Sequence, residues 1–221
     1  FNPEEVKELH YSVSIGAFKV AEAIAFTIDT SGTCVCRLNA RIKSTGIGRL
    51  FRNVNYHFGS CLDVHTGLPL MAFRYLKTGK NVTYYETSYD RSSRIDSTIA
   101  YSDSTGRHVL DQNIYDLVSA YLYFWQHFHP DLMQEGEKTI IPTFFYYEPF
   151  DLVFTYRGKE EIKTKNGTLI CHKVVLRTEI GPFFKTNEDM IIWFSDDEKY
   201  LPVKAYLNLR NGSLKGELLN Y

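Results

Sequence analysis

Three consecutive carboxylates, Asp196, Asp197 and Glu198, close an apolar run and are the residues best suited to acid–base chemistry or to a calcium ion. A working acid pair needs both carboxyls on one side of a cleft. Neighbours in a strand point to opposite faces, so Asp196 and Asp197 can cooperate only where the chain turns. Aspartates also close turns by hydrogen bonding to nearby backbone, and that reading is favoured here. His127 and His129 flank Phe128 just before Pro130. An H-x-H pair on a strand can bind metal, but this one lacks a neighbouring cysteine or carboxylate cluster, and a histidine at a helix C-terminus suits the helix dipole. No metal is assigned. Asp116 and Ser119 stand one helical turn apart and can form a buried polar couple. The chain has no GxSxG elbow, no SxxK, no glycine-rich phosphate loop and no HExxH. Nothing in it calls for a cofactor.

The elements that must position these residues are mostly strands. Phe18, Val20, Ile24, Phe26 and Ile28 alternate with Lys19, Ala21, Ala23 and Thr27, and after Thr30-Ser31-Gly32 the alternation resumes with Cys34, Cys36, Leu38, Ala40 and Ile42 inward. Further strands are expected near 54–62, 68–77, 82–90 and 94–102, then near 138–146, 150–164, 168–179, 189–195, 202–210 and 213–220. Asn166-Gly167 and Asn211-Gly212 mark two tight hairpins. There is no βαβ rhythm. One segment breaks the period of two: Ile114, Leu117, Val118, Tyr121, Leu122 and Trp125 fall at helical spacing. Asn113 is its expected N-cap and Pro130 its stop. Tyr115, Ala120, Tyr123 and Phe124 widen the apolar surface, so a helix over about 113–128 is expected to be buried on most sides.

The 221 residues read as a single domain, 1–221, because all-β sandwiches and barrels reach this length as one unit. The predicted fold is mainly β: a single antiparallel, strongly curved sheet or open barrel wrapped around one central α-helix. Twenty-five Lys and Arg against 26 Asp and Glu give a net charge of −1 without a block of like charge. That balance excludes a nucleic-acid or anionic-membrane partner held by bulk electrostatics. No stretch approaches the roughly 20 apolar residues of a membrane-spanning helix. Sixteen Tyr, 15 Phe and 2 Trp suit pleated surfaces and can also line an apolar cleft. The cysteines Cys34, Cys36, Cys61 and Cys171 are sparse for a disulfide scaffold, and the CVC spacing is not that of a redox or zinc motif. Buried free thiols are the favoured reading, with a bridge such as Cys61 to Cys171 left open. A start at Phe1 suggests removal of a secretory peptide, although trimming would look the same.

The segment Tyr115-Asp116-Leu117-Val118-Ser119-Ala120-Tyr121-Leu122-Tyr123 and the segment Ile192-Trp193-Phe194-Ser195-Asp196-Asp197, followed by Leu201-Pro202-Val203, form a recognisable pair. With Glu8-Leu9-His10-Tyr11, the stretch from Leu62-Asp63 to Gly67-Leu68-Pro69, and Gly212-Ser213 to Glu217-Leu218, they resemble the domain-of-unknown-function 3108 family of exported bacterial proteins across nearly the whole chain. The resemblance implies an exported, periplasmic or outer-membrane-associated protein with its helix packed on a curved sheet, and it implies no reaction. The expected function is therefore a non-catalytic binding or structural module of the cell envelope, holding an apolar small molecule, a lipid or an envelope protein. Tyr115, Ser119, Tyr123, Trp125 and Trp193 are the candidate cavity residues, and Asp116, Asp196 and Asp197 the polar candidates. The alternatives are a hydrolytic enzyme using carboxylates or a histidine on the sheet rim, and a scaffold that adds strands at exposed sheet edges.

Overall fold

The computed structural model describes residues 8–29, 35–165, 167–177, 190–209 and 212–219, with backbone alone for 26–29 and 35–37. Eight strands come first: β1 (Leu9–Ile15), β2 (Phe18–Asp29), β3 (Val35–Ser44), β4 (Val54–Asp63), β5 (Pro69–Thr78), β6 (Asn81–Asp90), β7 (Ser97–Ser102) and β8 (Gly106–Asp111). A four-residue helix, α1 (Gly48–Phe51), lies between β3 and β4, and α2 (Leu117–Gln126) follows β8. After a 3-10 turn at Pro130–Leu132 come β9 (Lys138–Phe145), β10 (Glu148–Thr164), β11 (Gly167–Arg177), β12 (Met190–Ser195), β13 (Pro202–Leu209) and β14 (Gly212–Leu218).

All 14 strands join one antiparallel sheet in the order β8-β7-β6-β5-β4-β3-β2-β1-β14-β13-β12-β11-β10-β9. The first and last strands pair in its middle, Tyr11 opposite Leu218, so the meander closes on its ends and breaks where α2 is inserted. The two edges, β8 and β9, meet through side chains. Tyr89, Ala100, Leu110, Ile114 and Phe144 form a buried cluster at this seam, and the His108 and Phe144 rings are 4.9 Å apart. The result is the nearly closed, barrel-like sheet that the alternation predicts, since closure leaves little open edge.

The helix is shorter than its apolar spacing predicts. Tyr115 donates its N–H to Pro142 O at 2.9 Å and accepts from Phe144 N at 2.8 Å, so residues 114–115 run extended beside β9. The cap is Asp116, not Asn113: its Oδ1 accepts from the N–H groups of Val118 and Ser119 at 2.9 and 3.3 Å, and Ser119 Oγ accepts from Asp116 N at 3.0 Å. This reciprocal arrangement satisfies donors that a helix start leaves free. The helix backbone lies against β3, β4 and β9 and its side chains reach β10 and β12, but these contacts alone do not put it at the centre of a sheet wrapped around it. Its Phe124 ring stacks on Phe154 at 3.9 Å with 5° between planes and joins the main core with Phe128 and Phe194.

The face assignment of β2 also differs from its sequence pattern. Cross-strand partners share a face, and Tyr11, Ala23, Ile42 and Tyr56 form one rung while His10, Ile24, Arg41 and His57 form the next. Ala21 is buried on the core side, whereas Phe18 is 65% exposed. Ala21, Ala23 and Ala25 therefore share the core-side face and Ile24 lies on the outer one, and Phe18 is exposed because it sits at the open end of the strand beside Ile15. No helix among the described residues is long and apolar enough to cross a membrane.

Candidate functional site

The densest gathering of reactive side chains lies at the end of the sheet where β12 turns into β13. It begins with a bulge in β10. Val174 and His172, two apart on β11, lie opposite Tyr156 and Lys159, three apart on β10, and Gly158 takes up the extra residue at φ +77°. Without that residue, positions three apart on a strand would face opposite sides. Tyr156 and Lys159 are thereby brought to the same histidine neighbourhood.

His172 has no exposed side-chain surface. Its Nε2 lies 2.9 Å from Asp196 Oδ1 and its Nδ1 2.9 Å from Tyr156 Oη. Burial lowers the His172 pKa, with Asp196 opposing that shift, so the ring is neutral at pH 7. An ionised Asp196 can only accept, which places the proton on Nε2 and leaves Nδ1 to accept from Tyr156. Asp196 is held below the usual carboxylate range chiefly by Lys159, whose Nζ donates to both its oxygens at 2.8 and 3.0 Å. Lys159 Nζ is also 4.0 Å from Asp131 Oδ1. Tyr200, at φ +43°, donates from its hydroxyl to Asp131 Oδ2 at 2.7 Å, and its carbonyl accepts from Trp125 Nε1 at 2.7 Å.

One ligand atom each from Asp131, His172 and Asp196 lies within 4.8 Å of the others, a spacing open to a divalent ion. The Lys159 ammonium already supplies the positive charge between the two carboxylates, so a metal would have to displace it. As it stands, the group is a hydrogen-bonded lock joining β10, β11, the β12–β13 turn and the end of α2. It can also relay a proton along Tyr156, His172 and Asp196.

The two aspartates do not act together. Asp197 Oδ1 accepts from Lys199 N at 2.9 Å and closes the turn, while Asp196 reaches His172. His127 caps α2, its Nδ1 2.8 Å from Tyr123 O and its ring stacked on Tyr123 at 4.2 Å, away from any metal-ligating group identified among the described residues. Cys171 is a free thiol, so the Cys61–Cys171 bridge does not form, and burial pushes Cys171 up to about 11. Cys34 and the side chain of Cys36 lie outside the described residues.

Among the described residues, the aromatic candidates are not gathered around one space. Tyr115, Ser119 and Trp125 are buried in packing, and Tyr123 stacks between Tyr115 and His127. Trp193 shares its rung with Lys173 and Lys204, and its Nε1 donates to Glu160 at 2.5 Å, on the face opposite the buried Ile192 and Phe194. Of the residues singled out from sequence, Asp116 lines the inner cavity, which measures about 30 Å³ and is bounded also by Phe58, Arg74, Tyr85 and Tyr89. There Asp116 is buried, its Oδ2 accepting from Ser60 at 2.5 Å and Ser119 at 2.7 Å. Two open grooves are larger: about 490 Å³ beside His10, Glu22, Ile24, Arg41 and Lys43, and about 340 Å³ beside Lys19, Lys163, Lys165 and Lys215.

Sequence reasoning named Asp196 and missed His172, Tyr156, Lys159, Asp131 and Tyr200. The one local signal was Gly158 inside a long alternating strand, since an isolated glycine there marks a bulge. Among solved structures, the chain is similar to a β-barrel-like protein of domain of unknown function DUF1849 from Brucella abortus. The TM-score is 0.61 at 9% identity, covering 96% of this chain and 95% of that one, a likeness of fold alone. No curated protein matches it. The family described as protein of unknown function (DUF3108) matches residues 10–219, and the chain belongs to that family.

Proposed function

We propose that the chain is an exported, non-catalytic module of the bacterial cell envelope that rests on an anionic membrane surface through one end of its sheet. The observation that carries this reading is the chemistry of that end. Antiparallel order brings the β1–β2 turn, the α1 connection and the β5–β6 turn together, linked by Thr45 N to Val20 O at 2.9 Å and Gly79 N to Asn53 O at 2.7 Å. There Ile15, Phe18, Leu50 and Phe51 are 50%, 65%, 86% and 82% exposed. The same segments, 15–22, 43–53 and 78–82, hold Lys19, Lys43, Arg49, Arg52 and Lys80 against a single carboxylate, Glu22. Glu22 is already paired with Lys19 at 2.6 Å.

Apolar tips beside cations suit the headgroup boundary, where each Lys or Arg near an anionic surface adds about 1 kcal/mol. A net charge of −1 excludes bulk attraction and leaves this local patch untouched. Among the described residues an enclosed apolar ligand is disfavoured, because the inner cavity they line, about 30 Å³, is an order of magnitude below the roughly 300 Å³ of ligand sites. In this reading the sheet wraps α2 as its plug and serves as a rigid support, consistent with the Phe124–Phe154 stack. Export, and a periplasmic or outer-membrane address, rest on the resemblance to exported bacterial proteins.

Co-sedimentation with phosphatidylglycerol and phosphatidylcholine vesicles tests it. Binding is expected to the anionic vesicles and to be largely lost in L50D/F51D at unchanged Tm. Equal pelleting with both lipids, or an unimpaired variant, removes the proposal. The Tyr156–His172–Asp196 chain favours a second reading, a hydrolase acting at the opposite end. Ester hydrolysis no faster than in H172Q would eliminate it.

A further inference from the structure

Arg74 sits on the core side of β5, between Phe58 and Tyr85 on the neighbouring strands, and is only 9% exposed. Aromatic rings enclose its guanidinium. The central carbon lies 3.8 Å from the Tyr146 ring centroid, 4.5 Å from Tyr85 and 4.8 Å from Phe145. Tyr146 holds its place in the left-handed region at φ +64°, an uncommon conformation for a side-chain-bearing residue. Rings satisfy the faces of a guanidinium and leave its edge donors free. Among the described residues Nη1 is fully buried without a hydrogen-bond partner.

The obvious counter-ions do not serve it. Asp103 acts on Arg74 only through space. Asp116, which lines the same cavity, has its oxygens taken by Ser60, Ser119 and the N–H groups of Val118 and Ser119. An arginine stays charged in a protein, and a buried charge with bare donors is costly unless an anion meets it. The cavity of about 30 Å³ in front of it has room for a water or two, which is also the scale of one carboxylate group.

We propose that this cavity is a binding site for a small carboxylate, of formate or acetate size, gripped by the free edge of Arg74 and walled by Tyr85, Tyr89 and Tyr146. The site lies inside the sheet and is independent of the apolar end proposed to meet the membrane. The fork geometry favours a planar oxyanion over a halide, because two edge N–H groups match two oxygens.

The test replaces sodium chloride by sodium acetate at constant ionic strength while thermal unfolding is followed. The wild-type Tm is expected to rise saturably, by about 3–6 °C at ten times the dissociation constant. R74M, similar in length and uncharged, is expected to show no such rise, and R74K a weaker one because it lacks the planar fork. Titration calorimetry of the unaltered protein with formate reads the same site without any variant. Absence of saturable heat up to about 100 mM formate overturns the proposal. So does an acetate response in R74M equal to the wild type, or a crystal grown in acetate with only water on Nη1.

Discussion

Asp116→Ala removes two things at once, the cap of α2 and the acceptor of a buried serine. Loss of an N-cap carboxylate costs about 1 kcal/mol, within a range of 0.5–2. Ser119 Oγ keeps a partner, since it also donates to Asp116 O at 3.1 Å and accepts from Asp116 N at 3.0 Å. Ser60 Oγ is buried and its hydrogen bond is to Asp116 Oδ2, so the variant orphans it at about 1–3 kcal/mol. The expected total is about 2–4 kcal/mol, or about 5–15 °C in Tm for a chain of this size. S60A/D116A should recover about 1 kcal/mol of it, because the orphaned hydroxyl is then gone.

Asp116→Asn separates charge from cap. Burial raises the Asp116 pKa above its ordinary value, with the Ser60 and Ser119 hydroxyls opposing. A raised folded pKa gives stability that is complete below the unfolded pKa and is lost as pH rises through the folded one. Asparagine caps about as well and carries no charge. Its stability relative to wild type should therefore increase between about pH 4 and pH 7. Urea unfolding at several pH values measures both variants. A D116A cost below about 1 kcal/mol, or a D116N difference that does not move with pH, would refute the account of this site.

Two further expectations concern the sheet. His172 has a lowered folded pKa, so its unfolded form takes up a proton first as pH falls below about 6.5; wild type then loses up to about 1.4 kcal/mol per pH unit that H172Q does not lose, and denaturant melts at pH 7, 6 and 5 should show the two converging. Gly48→Ala would place Cβ 1.9 Å from Val20 O, so α1 must shift off β2; a cost of about 1–3 kcal/mol is expected by thermal unfolding, and a neutral result would mean that α1 is not seated there.

How much of this was readable from the chain differs by element, for physical reasons. The strands from β9 to β14 follow their alternation within a few residues, because turn chemistry and period are local signals. The interior of α2 was readable for the same reason, and its start was not. Tyr115 belongs to a ladder with Pro142 and Phe144, partners more than 25 residues away in sequence. β8, with exposed Val109 beside buried Leu110, carries too weak an alternation to be seen. In β2 both faces carry apolar residues, so hydrophobicity alone could not choose between Ala23 and Ile24; pairing of Ala23 with Tyr11 and Ile42 made the choice.

The chemistry follows the same division. Asp196 stood out because it ends an apolar run, but its partner His172 is 24 residues away and reaches it only through the register of β11 on β12. Lys159 joins them because Gly158 shifts the phase of β10, a one-residue event that turns an alternating pattern against itself. Arg74 shows the converse. Its neighbours Phe73 and Tyr75 face the other side of β5, and the rings that enclose it come from β6 and the β9–β10 turn. An arginine in an alternating strand reads as solvent-facing, so its direction could come only from the cross-strand partners Phe58 and Tyr85. Register decides whether such a charge faces water or the core, and with it whether the residue is surface decoration or a ligand-binding group.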